Sequence, residues 1–156
     1  MKCIASREKC TKEQIRDAAI DLFSQKGYDA VSIREIARAV GIRESSIYNH
    51  YKGKEDIMDS ITGYFISELS KPDPNEEPME VLLQKYTPEE FMIISGKAYM
   101  SRFKDERLSK VWRLISIELY RNKKVRDFFR TTLLEFPLLA WEQLFQKMMD
   151  LGYIRQ

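Results

Sequence analysis

Residues 32–54 gather the side chains whose chemistry stands out in this chain. Arg34, Arg43, Ser45, Ser46, Tyr48, Asn49, His50, Lys52 and Lys54 fall on the outward face of two short helical stretches. Short hydroxyls, an amide and cations are the groups that hydrogen-bond base edges and neutralise phosphates. The positive charge is local: residues 31–54 hold five Lys or Arg against two Glu, a net of +3. The whole 156-residue chain sets 26 Lys or Arg against 24 Asp or Glu, so its formal charge of +2 by itself announces no nucleic-acid binder. Other chemistry lacks its parts. The lone histidine, His50, makes neither a Ser-His-Asp triad nor a metal site without partners, and reads either as a DNA contact or as a surface or packing residue. No phosphate-binding loop, metal set or nucleophile with a base is found. The chain therefore reads as a non-enzyme with no catalytic residue, no metal and no cofactor.

The elements that must position these groups are helical. Ser32 opens a short helix with Glu35 in the reciprocal capping position, and Ile33, Ile36, Ala37 and Val40 face inward. Gly41 stops that helix, and a further short helix fits Arg43 to His50, with Ile42, Ile47 and Tyr51 toward the core. Ahead of both, Ile15, Ala18, Ala19, Leu22 and Phe23 form one amphipathic stripe, with Thr11 and Gln14 spaced as a capping box and Gly27 as the stop. Two short helices joined by a glycine-containing turn and packed on a longer one are the layout of a helix-turn-helix, whose second helix enters the DNA major groove. Such trios of amphipathic helices are common, and the bare pattern is only moderately specific.

Downstream, Ile57, Ile61, Tyr64, Phe65 and Leu69 continue the helical spacing. The run Lys71-Pro72-Asp73-Pro74-Asn75-Glu76-Glu77-Pro78 cannot be regular helix. Residues 71–90 carry two Lys against six Asp or Glu, a net of −4, and read as a solvated connector with a short helix near Met79 to Gln84. Thr87-Pro88-Glu89-Glu90 marks a helix start running to about Phe103. Leu108, Val111, Trp112, Ile115 and Leu119 define the next helix. The last spans about Val125 to Asp150, with Leu134, Leu138, Trp141, Phe145 and Met148 on one face; Pro137 should kink or open it and Gly152 should end it. No strand alternation and no internal repeat is found, so the fold is all-α. The basic run Arg121-Asn122-Lys123-Lys124-Val125-Arg126 reads as a solvated turn between two helices. Cys3 and Cys10 fit no zinc spacing and read as reduced thiols on a terminal tail. No apolar run of about 18 residues occurs, and the N-terminus lacks a signal-peptide core. A soluble, cytoplasmic protein without membrane contact is expected.

The series Ala18-Ala19-x-x-Leu22-Phe23, Gly27-Tyr28, Ser32-Ile33-x-x-Ile36-Ala37, Gly41-Ile42, Ser46-Ile47-Tyr48-x-His50-Tyr51 and Lys54-Glu55 resembles the TetR family of one-component transcriptional regulators. The match is gapless over about residues 11–60, roughly a third of the chain, and beyond that it is one of layout. The resemblance implies a DNA-binding set of Ser32, Arg34, Arg43, Glu44, Ser45, Ser46, Tyr48, Asn49, His50, Lys52 and Lys54. Glu44, Ser45 and Ser46 would open the recognition helix toward base edges, and Asn49 would occupy a variable position facing the groove. Tyr48 and His50 would hold phosphate or base, and Lys54 would sit on a phosphate.

The same resemblance implies three parts: a tail over residues 1–10, a helix-turn-helix domain over 11–53, and a helical effector-binding and dimerisation domain over 54–156. In the last, a linking helix 54–70 and a connector 71–86 precede an apolar cavity for a small effector. Phe65, Tyr99, Phe103, Trp112, Ile115, Phe136 and Trp141 are its candidate lining. Between Phe91 and Met149 lie six Phe, two Tyr, two Trp and four Met, adaptable side chains suited to an apolar or planar ligand, although such residues are more often core. The function so implied is a ligand-responsive regulator, read as a repressor, that binds a pseudo-palindromic double-stranded DNA operator as a homodimer. An activator of the same family and a helical protein–protein adaptor without DNA binding are the alternatives. The family's dimer helices would begin about where this chain stops, so the C-terminal part is expected to be incomplete. Leu138, Leu139, Leu144, Met148 and Leu151 would be the uncovered seam; alternatively the last helix itself takes the dimer role.

Overall fold

A computed structural model describes residues 10–71 and 79–155 of the chain. The tail before Cys10, Cys3 with it, and the proline-rich run 72–78 lie outside the described residues. Among those described the secondary structure is helical throughout, in the order α1 (Thr11–Lys26), α2 (Ile33–Val40), α3 (Glu44–Ile47), α4 (Lys54–Leu69), α5 (Met79–Lys85), α6 (Pro88–Ser101), α7 (Glu106–Glu118), α8 (Lys123–Phe128) and α9 (Phe136–Asp150).

Two helix starts form as their sequences dictate. Ser32 Oγ accepts from the Glu35 amide while Glu35 accepts from the Ser32 amide, and Thr87 and Glu90 repeat the pattern ahead of Pro88. The expected box at Thr11 does not form. Thr11 is already the first helical residue, and Cys10, whose side chain makes no capping bond, takes the cap position with its carbonyl accepting from the Glu13 and Gln14 amides.

The main core joins both halves of the chain. Ile15, Ala19, Ile20 and Phe23 of α1 pack with Ile36 of α2, Ile47 of α3, Ile57, Ile61 and Phe65 of α4 and Val111, Leu114 and Ile115 of α7. Each large apolar side chain so buried contributes roughly 1.5–3 kcal/mol. Two ion pairs edge the α1–α7 contact, Asp17 with Arg107 at 3.1 Å and Asp21 with Lys110 at 2.8 Å. A second, smaller core joins Leu83 of α5, Phe91 of α6 and Met148 of α9.

The last expected helix is divided. α8 gives way to a π-helical stretch, Phe129–Glu135, before α9. Pro137 has no N–H, and its ring crowds the carbonyl four residues back. The backbone widens there, and the Phe136 N–H reaches the Thr131 carbonyl five positions behind it. The expected apolar face of this helix finds few partners: Leu134, Leu138 and Phe145 are exposed, and Met148 alone of that set is fully buried. The expected seam divides likewise. Leu138, Leu139 and Leu151 are exposed, whereas Met148 and Leu144 belong to the second core.

Candidate nucleic-acid interface and effector cavity

The helix-turn-helix is set by its glycines. Gly41 ends α2 in the left-handed region at φ 78°, which a side chain would strain, and turns the chain into Ile42. Gly27, at φ 83°, ends α1 where an added Cβ would also lie 3.4 Å from Glu118 Oε1. The helix expected over Arg43–His50 is a single α-turn, Glu44–Ile47, continued by hydrogen-bonded turns through His50. The His50 amide bonds three residues back to Ile47 at 2.9 Å, so this segment tightens rather than extends.

Arg34, Arg43, Glu44, Ser45, Tyr48, Asn49 and Lys52 are exposed, and Ser46 and His50 are half-buried. Tyr48 keeps 55% of its surface open, unusual for an aromatic side chain that no core contact explains. Ile47, between the exposed positions, is fully buried and anchors the segment on the core. The exposed and half-buried side chains bring together two guanidinium groups, a carboxylate, two hydroxyls, a phenol, an amide, an imidazole and an ammonium.

Two residues of the expected set are engaged elsewhere. The Ser32 hydroxyl is held by Glu35, donating to Oε2 at 3.0 Å and accepting from the amide at 3.2 Å. The Lys54 ammonium, expected on a phosphate, donates to the carbonyls of Tyr28 at 2.8 Å, Val31 at 3.0 Å and Asp29 at 3.4 Å, and lies 4.3 Å from the centre of the Tyr28 ring. An ammonium has three donors, and all three are turned onto the loop between α1 and α2. Burial, then the Glu55 carboxylate, pushes the Tyr28 phenol up from its ordinary value. Glu35 is held down to about 2, first by the Ser32 amide and then by Lys26 and the Ser32 hydroxyl.

Sequence reasoning missed the partner of that loop. Glu118, the last residue of α7, is 2% exposed and accepts from the Tyr28 amide at 2.9 Å. Its charge at an apolar spacing was the available signal.

The seven expected cavity residues separate into two groups. Tyr99, Phe136 and Trp141 line a cavity of about 450 Å³. Phe65 and Ile115 are fully buried in the main core, outside that lining. Phe103 and Trp112 stack around Phe65, with ring centres 6.3 and 6.4 Å from it. The rest of the lining comes from Ile66, Leu69 and Ser70 at the end of α4, Thr131, Thr132 and Leu133 of the π-helical stretch, and Pro137 and Ala140. Among the described residues no charged side chain lines it, so it suits a neutral, mainly apolar molecule with hydroxyl contacts to Ser70, Thr131 or Thr132.

Residues 15–61 match the sequence model of the bacterial regulatory proteins of the tetR family. Over 77 residues the chain is 36% identical to the biofilm operon icaADBC HTH-type negative transcriptional regulator IcaR of Staphylococcus epidermidis, covering 47% of this chain and 42% of that protein. Over 70 residues it is 39% identical to the HTH-type transcriptional regulator AcrR of Shigella flexneri, covering 45% and 30%. The matches thus span less than half the length of these curated relatives. In three dimensions the chain resembles MexZ, described as a key repressor responsible for antibiotic resistance in Pseudomonas aeruginosa, with a TM-score of 0.72 at 18% identity over 96% of this chain and 72% of that one. It also resembles the fatty acid degradation regulator FadR from Bacillus halodurans, with a TM-score of 0.62 at 23% identity over 97% and 75%. At these identities the likeness is one of fold.

Proposed function

Since the chain belongs, through residues 15–61, to the tetR family of bacterial regulatory proteins, we propose that it is a DNA-binding transcriptional repressor released by a small neutral effector. The observation that carries this is the exposed face of the α2–α3 unit, where Arg34, Arg43, Ser45, Tyr48 and Asn49 stand open to solvent on a segment anchored by Ile47. In the major groove, Ser45 and Asn49 meet base edges, and Arg34, Arg43, Tyr48 and Lys52 hold the flanking phosphates. Glu44 reads a cytosine amino group or stands clear of the duplex. His50, half-buried at the end of the segment, reaches the backbone from there. Ser32 and Lys54 shape the unit from within. Such a protein works in the cytoplasm, and no helix among the described residues is long and apolar enough to cross a membrane.

The effector occupies the cavity between the end of α4 and the π-helical stretch. Because α4 runs from that cavity back to the loop after α3, a ligand that favours one tilt of α4 shifts the population of recognition geometries. Two copies reading a pseudo-palindrome lose register when that geometry changes. The exposed Leu138 and Leu139 of α9 support pairing of two copies through that helix.

Selection of bound duplexes from a random pool tests the reading. Enrichment of a two-fold related consensus is the expected result. A pool that stays random after repeated rounds would overturn DNA reading and favour the adaptor alternative.

A further inference from the structure

The strongest unassigned charge on the molecule is the turn between α7 and α8. Tyr120-Arg121-Asn122-Lys123-Lys124-Val125-Arg126 holds four cations and no acid. Arg121, Lys123 and Arg126 are exposed, and Tyr120 keeps 84% of its surface open. As a sequence this run is indistinguishable from a solvated connection. The fold places it beside the reading head.

Two contacts fix it there, and a local cap shapes it. Glu118, immediately before the turn, is buried and bonded to the Tyr28 amide. Asn122 closes the turn, its Oδ1 accepting from the amides of Lys124 at 3.0 Å and Val125 at 3.3 Å. Lys124 Nζ lies 2.5 Å from Glu55 Oε1, on the second residue of α4 and three positions from Lys52. Lys124 offsets the nearest acid on that end of α4, which leaves the other three cations to act outward. Asp29, Asp56 and Asp59 also stand at this corner, and Asp127 follows Arg126 in α8.

We infer that the α7–α8 turn is a second DNA-backbone contact, in which Arg121, Lys123 and Arg126 bind duplex phosphates just outside the stretch read by α3. This rests on the DNA-binding reading above and extends its footprint to the larger domain. The contact is sequence-neutral, because phosphates carry no base identity. It also ties affinity to the larger domain, which carries the turn.

The test is the salt dependence of binding to a short duplex of fixed arbitrary sequence, between about 50 and 200 mM salt. The triple variant Arg121→Gln, Lys123→Gln, Arg126→Gln is expected to make the slope of log K against log salt shallower by about two to three. Its base preference in a selection should stay unchanged. A control of equal charge change, Lys97→Gln, Lys104→Gln, Arg155→Gln, should leave the slope close to that of the wild type. Ethylation interference on the selected site, with the wild-type protein alone, should show phosphates outside the consensus whose ethylation blocks binding.

If wild-type binding is tight and the triple variant keeps its slope, or the control loses as much, this second contact is overturned while the repressor reading stands. If the wild type binds no duplex at any salt, both fall together.

Discussion

Glu118 Oε1 accepts the Tyr28 amide hydrogen at 2.9 Å, across 90 positions of sequence. Through this one bond the end of α7 holds the loop that leads into α2, and the Lys54 ammonium grips the same loop from α4. The reading head is therefore tied to the larger domain at this loop as well as through the shared core of α1 and α7.

Removing the acceptor should loosen this joint. Glu118→Ala leaves the Tyr28 amide without its partner and is expected to cost about 1–3 kcal/mol in urea unfolding. Glu118→Gln keeps an oxygen acceptor and should lose much less. Equal losses in the two variants would show that the negative charge, not the hydrogen bond, holds the loop.

Lys54 separates a structural from a phosphate role. With its three donors on the carbonyls of Tyr28, Asp29 and Val31, Lys54→Met should lower stability by about 1–3 kcal/mol and speed amide exchange in the loop between α1 and α2. The salt slope of binding to arbitrary DNA should not change. A slope shallower by about one would return the ammonium to a phosphate.

Glu35 makes the start of α2 sensitive to acid. Its carboxylate is held down from 4.5 to about 2 by the Ser32 amide, Lys26 and the Ser32 hydroxyl. A depressed acid stabilises the fold above its unfolded value, and that contribution is lost as pH falls from 4.5 toward 2. Melting temperature followed over this window should drop less steeply in Glu35→Gln than in the wild type. Parallel curves would remove Glu35 as a contributor.

Filling the cavity should weaken effector-like binding. Ala140 lies on its wall, and Ala140→Trp is expected to weaken uptake of a neutral apolar dye such as Nile red several-fold. Leu138→Ala, which trims the exposed face of α9 outside the lining, should leave uptake intact. Loss in the second variant and not the first would move the dye to the outer face of α9.

Sequence alone determined the local structure, because its causes lie within a few residues of each other. The Ser32–Glu35 and Thr87–Glu90 boxes, the left-handed Gly41 and the interruption near Pro137 all arise from neighbours three to five positions apart. The exposed face of α2 and α3 was legible for the same reason, since helical periodicity dictates which side chains point outward. Contacts between distant segments were not legible. Which apolar residues become core and which line a cavity depends on where α4, α6 and α9 meet, so Phe65 and Ile115 went to the core while Thr131, Thr132 and Ala140 reached the cavity. The partners of Lys54 and Glu118 depended likewise on a loop that only the fold brings near. A cation turned outward and one turned onto three carbonyls carry the same spacing in sequence. Tertiary packing decides between them, because it alone determines whether acceptors stand closer than solvent.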